Sequence, residues 1–179
     1  MDSLKRYVIL LRLARELKSQ GNWCGETHMQ KAVYLLQDLA GAETEFEYVL
    51  YKHGPFSFEL RDQLTAMRAD NLLDLEIQPQ PYGPKLVPTE HAVQIESKFP
   101  KTLANNKNRI ERIAGIVGDK GVSELERLAT ALFITRREMP EAPADLRAQR
   151  LNEIKPHISL ASAMDAVEEI DTLIGAAQQ

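Results

Sequence analysis

Apolar residues recur at helical spacing over residues 3–19, where Leu4, Tyr7, Val8, Leu11, Ala14 and Leu17 form one stripe and Ile9, Leu10 and Leu13 widen it. A stripe this broad predicts a helix at the centre of a core rather than on its surface. Gly21, Asn22 and Gly25 interrupt the chain, and Met29, Ala32, Val33, Leu36 and Leu39 then repeat at the same period, with Thr27 as the predicted cap and Gly41 as the stop. The period changes in EFEYVLY, residues 45–51. Alternation there sets Phe46, Tyr48 and Leu50 on one face and Glu45, Glu47, Val49 and Tyr51 on the other, which predicts a strand with one wet, partly acidic face. A His-Gly-Pro turn at 53–55 leads into SFELRDQLTAMRADN, a third helix with Leu60, Leu64 and Met67 inward and Asn71 at a left-handed end.

LLDLEIQPQPYGPKLVP reads as two short strands joined by a loop that Pro79, Pro81, Gly83 and Pro84 stiffen. Thr89 is the expected cap of a helix over about 90–98, which Pro100 ends. Beyond Pro100 alternation disappears. Ile110, Ile113, Ala114 and Val117 form one helical stripe, Leu125, Leu128, Ala129 and Leu132 a second, Leu151, Ile154 and Ile158 a third, and Leu160, Met164, Val167, Ile170 and Ile174 a fourth. Ser123 is the predicted cap of the second, and Pro140, Pro143 and Pro156 mark neighbouring boundaries. The expected fold is α+β, predominantly α. Residues 1–100 form a helical domain with a small antiparallel sheet in a winged-helix-like order, and residues 101–179 a helical extension packed on it as one globular unit. The apolar stripes of that extension suit two roles, closing the core or forming a homodimer face.

Composition narrows the function. The 179 residues are 44% hydrophobic and 27% charged, enough apolar content for a core and too little turn chemistry for disorder. The apolar amino-terminal run is broken by Arg12 and Arg15 and has no small-residue cleavage site behind it, and no run approaches the roughly 20 residues that cross a bilayer. A cytoplasmic protein is expected, with no membrane partner. A single cysteine, Cys24, excludes an internal disulfide and a thiolate zinc cluster. The net charge of −4 argues against a domain that lives by neutralising phosphates, although Lys5, Arg6, Arg12, Arg15 and Lys18 make the first helix basic.

Candidate chemistry is sparse. His28, His53, His91 and His157 stand in no metal-ligand spacing, so neither a metal nor a cofactor is expected. Cys24 and His28 are four residues apart, but Gly25 between them separates Cys24 from the helix, and a buried thiol is the expectation. Ser57 lacks the flanking glycines of a nucleophile elbow. Local backbone physics explains Gly54, Pro55 and Ser57 in two ways: Ser57 caps the third helix, or Gly54 caps it with Pro55 at the first helical position. Neither explains Tyr51, His53 and Phe56 crowded at the same junction.

MQKAVYLLQ at 29–37, FEYVLYKHGPFSFELRDQL at 46–64 and a hairpin ending in LVPTEHA together resemble the superfamily of YwgA-like proteins and SocA-like antitoxin domains, or Panacea domains, and the carboxy-terminal domain of DarG-type antitoxins. Gln30, Lys31, Tyr34 and Leu35, with Tyr51, Gly54, Pro55 and Ser57, carry the resemblance, which spans about residues 4–100; the tail fits the longer YwgA-like members. It implies a non-enzymatic neutraliser or accessory protein of a toxin–antitoxin or phage-defence system that acts by protein contact. The expected partner surface is Tyr51, His53, Gly54, Pro55, Phe56, Ser57 and Arg61, with Glu45 and Glu47 as an acidic rim. The alternative is a winged-helix DNA-binding regulator that reads a groove with residues 57–70, although Glu59, Asp62 and Asp70 oppose Arg61 and Arg68 there.

Overall fold

The computed structural model describes residues 2–22, 24–80 and 83–177. Helix α1 (Ser3–Ser19) starts where the Asp2 carboxylate accepts from the Leu4 N–H. It buries Val8, Ile9, Leu10, Leu11, Leu13, Ala14 and Leu17, nearly a full circumference, because α5 (Pro100–Val117) runs along one side while α2 (Glu26–Asp38) and α4 (Glu90–Ser97) flank it. Helix α6 (Val122–Phe133) packs on α2 and continues through a π-helical turn, Ile134–Glu138, towards α7 (Ala144–Ile154) and α8 (Leu160–Ala177). One apolar cluster joins α1 and α2 to α5, α6 and α8. The architecture is a predominantly α, α+β fold.

Two antiparallel hairpins interrupt the helices. Strand β1 (Val49–Tyr51) pairs with β2 (Gly54–Phe56) around a Lys52–His53 turn, in the register Val49 to Phe56 and Tyr51 to Gly54. Strand β3 (Leu73–Glu76) pairs with β4 (Lys85–Pro88). Between the hairpins lies α3 (Phe58–Ala69), capped by Ser57, whose hydroxyl accepts from the Leu60 N–H at 3.2 Å.

The structure corrects several expectations. The alternation at 45–51 appears in the burial, Phe46 and Tyr48 inside and Glu45 and Glu47 outside, yet only Val49–Tyr51 pairs. His-Gly-Pro is not a direct strand-to-helix turn: Gly54 and Pro55 begin a return strand, and of the two capping schemes the structure takes Ser57. Thr27 caps nothing, since α2 begins at Glu26 behind Gly25; Gly41 is the stop as expected, at φ +71° with its N–H donating to the Gln37 carbonyl in the turn that follows Asp38. Gly121 precedes α6 in place of Ser123, its N–H bonded to Glu124. Pro100 opens α5, where its missing N–H costs nothing. Ile158 lies past the end of α7, and Leu160 is exposed. Thr89 and Asn71 sit as expected, one capping α4 and the other at φ +56°. Pro81 falls outside the described residues.

Candidate functional site

The β1–β2 hairpin is held from beneath by side chains that bond its main chain. Gln30, 1% exposed, grips Ser57 twice: its Nε2 donates to the Ser57 carbonyl and its Oε1 accepts from the Ser57 N–H, both at 2.9 Å. Lys31, also 1% exposed, donates from Nζ to the Pro55 carbonyl at 2.8 Å. Lys155 donates to the Lys52 carbonyl and to Glu126 Oε1, the latter at 2.7 Å. These groups satisfy main-chain carbonyls that the short sheet leaves unpaired, which folding requires of buried polar backbone.

Close packing completes the seat. Gly54 has φ +82°, and a Cβ there would stand 2.7 Å from Thr130 Oγ1 and 3.4 Å from the Glu126 carbonyl. Only glycine combines that backbone with that proximity to α6. Burial drives the Lys31 ammonium down to about 8, with nearby Glu126 opposing and Lys155 reinforcing the shift. For Glu126, burial favours the neutral acid, but the bond and charge of Lys155, helped by His53, outweigh it and hold the carboxyl below its ordinary range.

Above this seat the side chains face outward. Tyr51, Phe56 and Phe58 form a closed triangle with ring centroids 5.7, 5.8 and 5.1 Å apart, in tilted and edge-on contacts. Tyr51 is 57% and Phe58 46% exposed. The Arg61 guanidinium lies 5.3 Å from the Phe58 centroid and bonds to Asp62. The structure thus brings together Tyr51, Phe56 and Arg61 from the expected surface and adds Phe58.

The other expected residues divide. Gly54, Pro55 and Ser57 are buried and shape the hairpin rather than present a surface. His53 is exposed on the turn, its Nδ1 3.4 Å from Glu126 Oε2. Glu45 and Glu59 converge on Arg6, so that stretch of the acidic rim carries its own counter-charge, while Glu47 stays exposed. Gln30 and Lys31 stood in the motif but not among the expected contacts; a lysine inside the apolar period of α2 is the signal that a buried acceptor awaits it. Nothing local announces Glu126 and Lys155, which meet only through the packing of α6 against the segment after α7.

Reactive chemistry is weakly provided. Ser57 is fully buried with its hydroxyl committed to Leu60, and Cys24 is buried with its thiol pushed up to about 12 by desolvation, so little thiolate exists near neutrality. Among the described residues no three His, Cys, Asp or Glu side chains are grouped to hold a metal ion, and no helix is long and apolar enough to cross a membrane. No protein-family model matches the chain, and no curated protein matches it.

Proposed function

We propose that this protein is a non-enzymatic protein-binding module, an antitoxin-like neutraliser or accessory component of a toxin–antitoxin or defence system, and that Tyr51, Phe56, Phe58 and Arg61 are its partner surface. The observation that carries this reading is the exposed aromatic triangle. Two of its rings, Tyr51 and Phe58, stand about half open to water and lose burial energy in the free protein, while Phe56 between them is partly buried; aromatic residues with a neighbouring arginine are the groups that anchor protein interfaces. The seat beneath supports the same reading, because a hairpin fixed through its main chain presents those rings with little ordering left to lose on binding. The resemblance to Panacea-type domains points to the same class of partner.

The test is capture of partners by the tagged protein from its native host, read by mass spectrometry, beside a Tyr51→Ala, Phe58→Ala variant shown to be folded. A defence-locus or toxin-like protein retained by the wild type and reduced at least about 30-fold in affinity for the variant is expected, the loss typical of interface anchors. Equal retention by both would remove the triangle as the contact surface. Recovery of nucleic acid alone, released by salt, would move the function to the winged-helix reading.

A further inference from the structure

One edge of the β1–β2 hairpin is left largely open. Pro55 has no N–H, so its pair with Leu50 exchanges no bonds, and the main-chain groups of both residues turn away from the ladder between them. On the β2 side such outward groups are taken: Lys31 bonds the Pro55 carbonyl, and Gln30 bonds both groups of Ser57, the next outward residue. On the β1 side most are not. Arg137 donates to the Tyr48 carbonyl at 3.4 Å, but among the described residues the N–H and C=O of Leu50 and the N–H of Tyr48 have no hydrogen-bond partner.

Strand β2 packs on α2 and α6, which leaves β1 as the outer strand. Its side chains are as unused as its edge. Val49 is 48% exposed and stands on the same side as Tyr51, next to the aromatic triangle but outside it. Glu47, two residues earlier on that side, is exposed and makes no ion pair among the described residues. An open strand edge is a template for a further strand, which is why native proteins commonly cover or block the edges they do not use.

Each of these features specifies part of an occupant. Free donor and acceptor groups along an edge are satisfied by another extended main chain, Val49 and Tyr51 by apolar side chains at every second residue, and Glu47 by a cation. We propose that β1 accepts an extended segment of the partner polypeptide as a third, antiparallel strand, with a lysine or arginine facing Glu47 and apolar residues facing Val49 and Tyr51. The antiparallel sense lets a single partner residue use both Leu50 groups. Arg137 at Tyr48 and Lys155 at Lys52 hold the main chain at either end of the opening. The opening is therefore a few residues long, the footprint of a short segment rather than of a second copy's broad face. This rests on the protein-binding reading and states how the partner reaches the triangle, its strand running alongside Tyr51.

The test is an NMR titration of the ¹⁵N-labelled full chain with acetyl-Thr-Val-Thr-Val-Thr-Lys-Thr-amide, whose valines would face Tyr51 and Val49 and whose lysine would face Glu47. Saturable shifts of the Leu50 and Tyr48 amide signals are expected. N-methylation of the threonine between the valines removes the N–H that reaches the Leu50 carbonyl and should weaken binding at least about 5-fold. N-methylation of the second valine, whose N–H points away from β1, should change it less than about 2-fold. Glu47→Lys, at an exposed position, should weaken the lysine peptide about 2–5-fold and favour the version with glutamate in its place. No shift, an equal loss from the two N-methyl peptides, or Leu50 signals that move on dilution of the free protein, the mark of a second copy on the edge, would each overturn the proposal. A failed titration beside intact capture removes the strand and leaves the triangle. An intact titration beside capture that Tyr51→Ala, Phe58→Ala leaves unchanged removes the triangle and leaves the strand.

Discussion

Gly54→Ala separates the two demands that the hairpin makes on one position. The first is backbone: at φ +82° an L side chain costs about 1–2 kcal/mol. The second is steric: the new Cβ would stand 2.7 Å from Thr130 Oγ1, too close for any real contact, and relief means shifting a Thr130 side chain whose hydroxyl bonds the Glu126 carbonyl at 2.6 Å. Overpacking of that kind costs about 1–3 kcal/mol, so the total is about 2–5 kcal/mol. Gly41→Ala is the internal control, since Gly41 shares a positive φ, +71°, but a Cβ there would meet nothing within 4 Å, and only the backbone cost of about 1–2 kcal/mol remains. Urea unfolding of the two variants gives the difference directly. Adding Thr130→Ala to Gly54→Ala should restore the steric share and leave the backbone share. If Gly54→Ala is no worse than Gly41→Ala, or Thr130→Ala restores nothing, the close seating of the hairpin on α6 is wrong.

Other consequences follow from the buried charges. Glu126→Ala strands Lys155 and leaves Lys31 without its nearby anion, and urea unfolding should show a loss of about 3–5 kcal/mol, only partly recovered in Glu126→Ala, Lys155→Met, because the methionine cannot hold the Lys52 carbonyl and Lys31 still lacks its anion. The folded Lys31 value near 8 lies below the 10.5 of the free side chain. The unfolded chain therefore binds more protons between those values, and this residue makes stability rise with pH across that window, by at most about 3 kcal/mol. Unfolding free energies of wild type and Lys31→Met at the two ends of the window test this; parallel profiles would contradict the burial of a charged lysine. Cys24, its thiol near 12 and 2% exposed, should resist a thiol reagent in the native protein and react promptly in guanidinium chloride; prompt native labelling would show an open site.

Much of the helical framework was legible because single residues carry local physics. The greasy circumference of α1 announces its central place, Ser57 and Thr89 are helix caps, and Asn71 takes the left-handed turn its amide tolerates. The alternation from Glu45 to Tyr51 foretells which side chains are buried but not how few of them pair, since burial follows the side-chain period while pairing needs a neighbouring strand. Strand β2 stayed hidden because Gly54-Pro55 has the composition of a turn; it persists as a strand because Lys31 and the Gln30 amide supply bonds that proline and the short ladder do not. Tyr51, His53 and Phe56 stand out in the sequence as surplus to local needs, and of these Tyr51 and Phe56 join the triangle while His53 lies beside Glu126. Phe58 looked like part of a helix and nothing more, and only the geometry closes the triangle. Lys155 and Glu126 are distant in sequence, and their pairing is a product of tertiary packing.

The hairpin's anchors share a property with a consequence for change over time. Gln30, Lys31 and Lys155 hold the carbonyls of Ser57, Pro55 and Lys52, groups that every amino acid possesses. Attachment is thus indifferent to what the hairpin displays. Positions 51, 52, 53 and 56 can exchange side chains without loosening the loop, whereas Gly54 and the three residues beneath it cannot. Such a division lets the displayed chemistry drift towards a new partner while the platform stays put, and it names the four positions at which a designer would rewrite specificity first.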